Sequence, residues 1–254
     1  DAMNGDFIQR HARATALFCK VNVIHLEADT ENKLESSVTI SQNKEGNLFE
    51  TIVLYKPATG TAAKIASYFL YQRLFKQQIN KYITENGLPD VVHVHVPVKA
   101  GLLALWIKKK YRVPYAVTEH WAIYNTIAAD AYPKRNFIFK YFTKRILQQA
   151  DIFLPVSKNL GESIQQMVLQ KSFTAIPNVA DTSLFNYTEQ KSPGHFQFIH
   201  VSTLKNQKNP EGLLRAFATL VKEDAYQHCR LLIAGESNDA LNKYYQQLFK
   251  AMML

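Results

Sequence analysis

The stretch DVVHVHVPVKAGLLALWIKKKYRVPYAVTEHW, Asp90 to Trp121, decides the fold. VVHVHV near its start is rich in β-branched residues and predicts a strand, and YAVTEH near its end predicts another. Between them Lys99 to Lys110 carries an apolar pattern of helical length, which Pro114 ends because proline has no N–H to continue the hydrogen-bond ladder. Strand, helix, strand is the βαβ unit of a parallel sheet. Ligands of such sheets bind outside the carboxyl ends of the strands, where His95 and His120 both stand.

Strand side chains alternate, so His93 and His95 share a face, Thr118 and His120 share a face, and Glu119 points away. Three histidines so placed admit a metal reading, but no acidic ligands cluster with them. A buried, hydrogen-bonded position between helix and sheet accounts for His93. His95 lines the crevice. His120 ends a strand and is followed by WAIYNTIAADAYPK, which has few turn signals and no clear helical period, as expected of an active-site loop.

The same alternation extends outward. Strands are expected at Val21–Glu27, Ser37–Ser41, Thr51–Tyr55, Asp151–Ser157 and Phe173–Pro177, and helices at Phe7–Phe18, Ala62–Thr84, Lys134–Gln149 and Ser157–Leu169. The polar segment NYTEQKSPGHFQ, Asn186 to Gln197, reads as a linker. After it FQFIHVS and RLLIAG predict two more strands, Asn209 and Pro210 open a helix, and Asn238 begins another. Residues 1–188 and 189–254 are thus expected to form two α/β domains. The first helical pattern has no strand before it and the second domain has only two strands, so the reading is a first domain lacking its opening strand and a second domain that is truncated.

Composition excludes some classes. With 47% hydrophobic and 20% charged residues the chain is globular, and no apolar run reaches the roughly 18 residues of a membrane span. Cys19 and Cys229 are the only cysteines, too few and too distant for a disulfide framework or a cysteine zinc site. The polar start has no apolar signal segment, which points to a cytoplasmic location. A net charge of +9 favours phosphates, nucleotides or an anionic membrane surface.

Two basic segments give that charge a place. In STLKNQKNP, Lys205 and Lys208 lie between a strand and a helix start, where free N–H groups and ammonium charges suit a diphosphate, although a solvated loop carries lysines equally well. Glu236, after the next strand, either accepts hydrogen bonds from a sugar hydroxyl or serves as a first-turn helix acid. In PKRNFIFKYFTKRILQQ, residues 133–149, Phe137 with Tyr141 and Ile138 with Phe142 and Ile146 make an apolar stripe beside Lys134, Lys140, Lys144 and Arg145. A core-packing helix with a basic outer face and a peripheral contact with the inner face of a membrane both fit.

NGDFIQRHARATA, DVVHVHVPVKAGLLALWI, VPYAVTEHW, ADIFLPVSKNLGESI, AIPNVADTSLF, FIHVSTLKNQKNPEGLLRAF and RLLIAGES, taken in order, resemble the retaining glycosyltransferases of family 4. The resemblance implies the GT-B fold, two facing Rossmann-like domains, and transfer of a sugar from a nucleotide diphosphate sugar to a carbohydrate or lipid-linked acceptor, with retention of configuration. It implies no metal, no cofactor and no nucleic-acid partner. It places His120 near the donor sugar as the candidate catalytic residue, Asn4 and Gly5 near the donor phosphates and acceptor, and Pro177 and Asn178 at the interdomain cleft. It departs at Thr203, where the family often has an arginine of the diphosphate clamp; Lys208 matches the clamp lysine and Lys205 is the substitute for the arginine. The family's E-x7-E carboxylate pair would fall beyond Leu254, so this chain alone is expected to bind donor poorly and to be inactive. A noncatalytic sugar-nucleotide-binding subunit and a histidine-ligated metal hydrolase are the competing readings.

Overall fold

The structure is a computed structural model and describes residues 6–126, 128, 130–182, 187, 196–202, 204, 208–235 and 239–252. The chain divides into two compact units, Asp1–Phe185 and Asn186–Leu254. The proposed linker Asn186 to Gln197 lies, apart from Tyr187, Phe196 and Gln197, outside the described residues.

Unit 1 opens with α1 (Asp6–Ala16), then β1 (Val21–Ala28), β2 (Val38–Glu45), β3 (Leu48–Tyr55) and the long α2 (Ala63–Asn86). The βαβ unit follows as β4 (Val92–His95), α3 (Ala100–Tyr111) and β5 (Tyr115–Glu119), and then α4 (Phe137–Gln149), β6 (Ile152–Pro155) and α5 (Lys158–Met167). Helix α3 stops as its sequence directs: Arg112 turns left-handed at φ 62°, its N–H reaches the Lys108 carbonyl, and Pro114 forbids continuation. Asn136 and Ser157 cap α4 and α5, accepting from the N–H groups of Phe139 and Leu160 at 2.9 and 3.2 Å.

The strands form two three-stranded sheets. In one, β4, β5 and β6 run parallel in that order, as the alternation predicts. The other, ordered β1-β3-β2, departs from an all-parallel sheet: β1 and β3 are parallel, but β2 and β3 are an antiparallel hairpin. Its turn is the dipeptide Gly46-Asn47, and Gly46 takes φ +56°, the left-handed value a two-residue hairpin needs there. Phe173–Pro177 also differs from expectation. It is not a regular strand, although the N–H groups of Thr174 and Ile176 donate to the Phe153 and Pro155 carbonyls of β6. A run this short beside an edge strand makes two ladder bonds and no more.

The main core lies around β5, where Tyr115, Val117, Ile146, Leu147, Phe153 and Ile164 are almost wholly buried. Gly101 lets α3 approach α4, since a Cβ there would stand 2.6 Å from Ile146 Cγ2. A second cluster joins the two sheets through their helices: Ile24 of β1 and Val92 of β4 pack with Ile79 of α2 and Leu103 and Ile107 of α3. Lys108 pins the assembly from outside, its ammonium 2.8 Å from both Asp151 oxygens, while Asp151 accepts the Tyr115 N–H.

Unit 2 holds β7 (Gln197–Val201), α6 (Pro210–Leu220), β8 (Arg230–Ala234) and α7 (Asp239–Met252), with β7 and β8 parallel. Asn209 caps α6, accepting from the Gly212 N–H, and Pro210 fills the first turn. Among the described residues no helix is long and apolar enough to cross a membrane.

Candidate functional site

Parallel pairing sets His95 level with Thr118, so the chains leaving β4 and β5 emerge side by side at their carboxyl ends. There His95 Nδ1 lies 2.9 Å from His120 Nε2, with the rings stacked at 5.2 Å. The other nitrogen of His120, Nδ1, is 3.1 Å from Asn178 Oδ1. Asn178 belongs to the extended segment that follows α5 and runs along β6, and the same oxygen is 3.3 Å from His11 Nε2 of α1. Phe7, one turn before His11 on the same helical face, lays its ring 4.5 Å from that of His120. One hydrogen-bonded chain therefore links α1, β4, β5 and the segment beside β6.

Glu119 holds the turn that carries His120. It is fully buried, its Oε1 accepts the N–H groups of both His120 and Trp121 at 2.9 Å, and its Oε2 accepts the Tyr124 hydroxyl at 3.1 Å. Burial pushes its carboxyl up to about 7, against the pull of those three donors. Burial, reinforced by His93, His120 and His11, presses His95 down to about 3. His120 is held near 4, by burial first and then by His11, while its bond to Asn178 works the other way. Both rings are accordingly neutral at neutral pH.

Alternation along the strands puts His93 and His95 on one face, their rings 4.4 Å apart, with Glu119 on the other side of β5. His93 departs from the buried position expected of it: it bonds Thr118 Oγ1 at 2.7 Å but is exposed, because β4 pairs only with β5 among the described residues. The segment after His120 is likewise not an open loop. It makes two short 3₁₀ turns, Ala122–Tyr124 and Tyr132–Lys134, that bury Ile123, Tyr124 and Tyr132. Trp121 stays part exposed, with the Arg135 guanidinium 5.4 Å over its ring and Arg135 itself paired with Asp130. Just past β4, Val96 adopts φ 66°, a conformation β-branched residues rarely hold outside constrained sites.

Of the candidate residues, the structure brings His95, His120 and Asn178 together. Asn4, Gly5, Lys205 and Glu236, with Thr203, lie outside the described residues. Lys208 is described in unit 2, exposed and directly ahead of the α6 cap. His11 was missed, although a histidine four residues after Phe7 on an amphipathic helix is a signal that could have found it. As for a metal, His120 has spent both ring nitrogens, and among the described residues no group of three or more His, Cys, Asp or Glu could hold an ion.

The family model for Glycosyltransferase Family 4 matches residues 20–184. The chain is 22% identical over 162 residues, 58% of this chain and 36% of that protein, to an alpha-monoglucosyldiacylglycerol synthase of Streptococcus pneumoniae (strain ATCC BAA-255 / R6). Its fold is similar to sucrose-phosphate synthase from Thermosynechococcus elongatus, at TM-score 0.59 and 15% identity over 96% of this chain and 60% of that one. It is also similar to an alpha,alpha-trehalose-phosphate synthase (UDP-forming) from Burkholderia xenovorans, at TM-score 0.56 and 11% identity over 95% and 65%. The chain thus spans little more than a third of the curated relative and less than two thirds of these solved chains. Together these likenesses show the GT-B fold.

Proposed function

Because the chain belongs to glycosyltransferase family 4, we propose that it serves an enzyme that moves a sugar from a nucleotide diphosphate sugar to an acceptor with retention of configuration. The observation that carries this reading is the His95–His120–Asn178–His11 array at the carboxyl ends of β4 and β5. Parallel sheets present ligand sites there, and a preformed array of neutral hydrogen-bonding groups suits sugar hydroxyls better than it suits charge. In this reading His120 is central to the donor-sugar site, His95 and Asn4 serve the acceptor or cleft side, and Gly5 and Asn178 serve the donor side. Lys205, and Lys208 just ahead of α6, take the diphosphate, neutralising charge that grows on the leaving group, and Glu236 takes a sugar or ribose hydroxyl. No metal or other cofactor is required.

A lipid-linked acceptor is favoured over a free carbohydrate. Phe137, Ile138 and Tyr141 of α4 are 79%, 66% and 46% exposed beside Lys144 and Arg145, an apolar and basic face fit for the inner, anionic side of a membrane. The relative named for a glucosyl diacylglycerol points the same way. The test is release of nucleoside diphosphate by the full-length protein from UDP-, GDP- and ADP-hexoses, with and without EDTA and a diacylglycerol acceptor, beside His120→Ala. One donor consumed, insensitive to EDTA and slowed at least tenfold by the substitution, is the expected result. Donor binding without release under any condition would favour a noncatalytic sugar-nucleotide-binding subunit.

A further inference from the structure

At the amino ends of β1 and β3, away from the histidine array, a groove of about 360 Å³ runs between the β1-β3-β2 sheet and the second half of α2. Pairing decides which side chains enter it. Asn22 of β1 and Lys44 of β2 stand level with Phe49 of β3, and Ile24 and Gln42 stand level with Thr51, so these side chains share the face that α2 covers. Glu50 takes the other face, where Gln9 of α1 donates to its carboxylate at 3.2 Å. Toward the carboxyl ends the covered face is apolar: Leu26, Val53 and Tyr55 pack on Leu74, the contact a helix ordinarily makes with a sheet. Past Leu74 both walls turn polar, with Gln78, Lys81, Tyr82 and Glu85 of α2 across from Asn22, Gln42 and Thr51. An amide shut in without a partner costs more than its burial returns, so such walls stay apart instead of closing. The side-chain amides of Asn22 and Gln78 have no hydrogen-bond partner among the described residues, and both remain open to solvent.

Charge at the groove is unbalanced. Lys20 and Lys44 stand over the Phe49 ring, 5.1 and 5.0 Å from its centroid, and neither has a carboxylate partner among the described residues. Lys20 also donates to Asn86 Oδ1 at 3.1 Å, which holds it at the end of the groove. The charges on α2 cancel, since Lys81 and Glu85 pair at 3.9 Å. We infer that the groove binds an anionic sugar, a single ring carrying one phosphate or carboxylate group. Lys20 and Lys44 supply the opposite charge. Asn22, Gln42 and Gln78 each present a donor and an acceptor whichever way the amide is turned, which suits neighbouring sugar hydroxyls. Size agrees: the volume lies near the lower end of ligand pockets, roughly 300–1,000 Å³, and takes one ring rather than a nucleotide sugar. The inference goes beyond glycosyl transfer and does not rest on it. The ring is a free sugar acid or sugar phosphate, or the acidic unit of a glycan chain, sources with one chemistry.

The test is calorimetric titration of the full-length protein with glucose 1-phosphate, galacturonate, glucose and inorganic phosphate. Either anionic sugar is expected to bind saturably and roughly tenfold more tightly than glucose or phosphate alone, the worth of a charge-assisted hydrogen bond. Lys20→Gln combined with Lys44→Gln should weaken that binding about tenfold, while the ligand-free thermal melt keeps its midpoint because both lysines are exposed. Gln78→Ala should weaken it as well, by removing an amide that faces the ring. UDP-, GDP- and ADP-hexoses should not compete, because the groove and the histidine array stand at opposite ends of the strands. Tighter binding of tetragalacturonate than of galacturonate would identify a glycan chain, and equal or weaker binding a free sugar. Competition by a nucleotide sugar overturns the inference, as does full affinity in the double lysine variant or the absence of saturable binding by either anionic sugar.

Discussion

Glu119 and the two histidines beside it pull stability in opposite directions as pH changes. In the unfolded chain a histidine titrates near 6.5 and a glutamate near 4.5. Below pH 6.5 the unfolded chain takes up protons that His95 and His120 refuse when folded. Their contribution to stability is therefore complete above 6.5 and is lost as pH falls toward about 4 for His120 and about 3 for His95. Glu119 keeps its proton in the folded state up to about 7, so its contribution is complete below 4.5 and is lost as pH rises. Between 4.5 and 6.5 these two histidines oppose one carboxyl, and the net of one proton makes the joint contribution of the three groups rise with pH by about 1.4 kcal/mol per unit, with His93, also held below its ordinary value by burial, adding in the same direction. Glu119→Gln removes the opposing contribution and should steepen that rise by roughly a further 1.4 kcal/mol per unit. Urea melts at pH 4.5, 5.5 and 6.5 decide it, and a variant with the wild-type slope would show that Glu119 ionises normally. Sidedness at this scale was legible: alternation alone put Glu119 opposite His120 and paired His93 with His95. The contact between His11 and Asn178 was not, because they stand 167 residues apart and periodicity carries no information about contacts at that distance; Asn178 itself was reached only through the family resemblance.

Elements were legible where a pattern is local. Pro114 and the αL residue Arg112 end α3, and Ser157 and Asn209 cap α5 and α6, all from residues within one turn of the boundary. The β2–β3 hairpin escaped because the strand pattern was read as uniformly parallel, although Gly46-Asn47 between two β-rich runs is itself a hairpin signal. Strand order was not legible, since it depends on which edges meet, and that is set by the helices packed across them. Close packing between helices is the least legible feature, and Gly101 shows why. Its role depends on Ile146, a residue of another helix, whose Cγ2 would lie 2.6 Å from a methyl group at position 101. Gly101→Ala gains helix propensity but overpacks a fully buried contact, and should lose about 1–3 kcal/mol. Trimming the partner with Ile146→Val should recover part of the loss, so the double variant would be more stable than the sum of the two singles. Denaturant unfolding of the four proteins checks this; simple additivity would mean that the helices shift apart at no cost.

Over the whole molecule, 30 Lys and Arg against 21 Asp and Glu set a positive field, but field strength alone does not choose a partner. What distinguishes a lipid surface from a soluble anion is apolar surface set among the charges. Helix α4 divides its stripe in this way: Thr143, Ile146 and Leu147 enter the core, while Phe137, Ile138 and Tyr141 stay outside. The sequence could not apportion the stripe, because Ile138 and Ile146 lie on the same helical row and only the tertiary neighbours of the last two turns cover one and spare the other. Each Lys or Arg near an anionic leaflet contributes roughly 1 kcal/mol. Lys134, Lys140, Lys144 and Arg145 therefore supply about 4 kcal/mol at most, reversible binding that needs the three apolar side chains to persist. The protein should cosediment with vesicles containing phosphatidylglycerol and not with phosphatidylcholine alone, and should dissociate as salt shortens the screening length. Ile138→Asp should abolish the binding while leaving the thermal melt within about 0.5 kcal/mol of wild type, since an exposed side chain has little packing to lose. Equal sedimentation with both vesicles, or none with either, would make α4 a core helix with a solvated basic face and return the acceptor question to free carbohydrates.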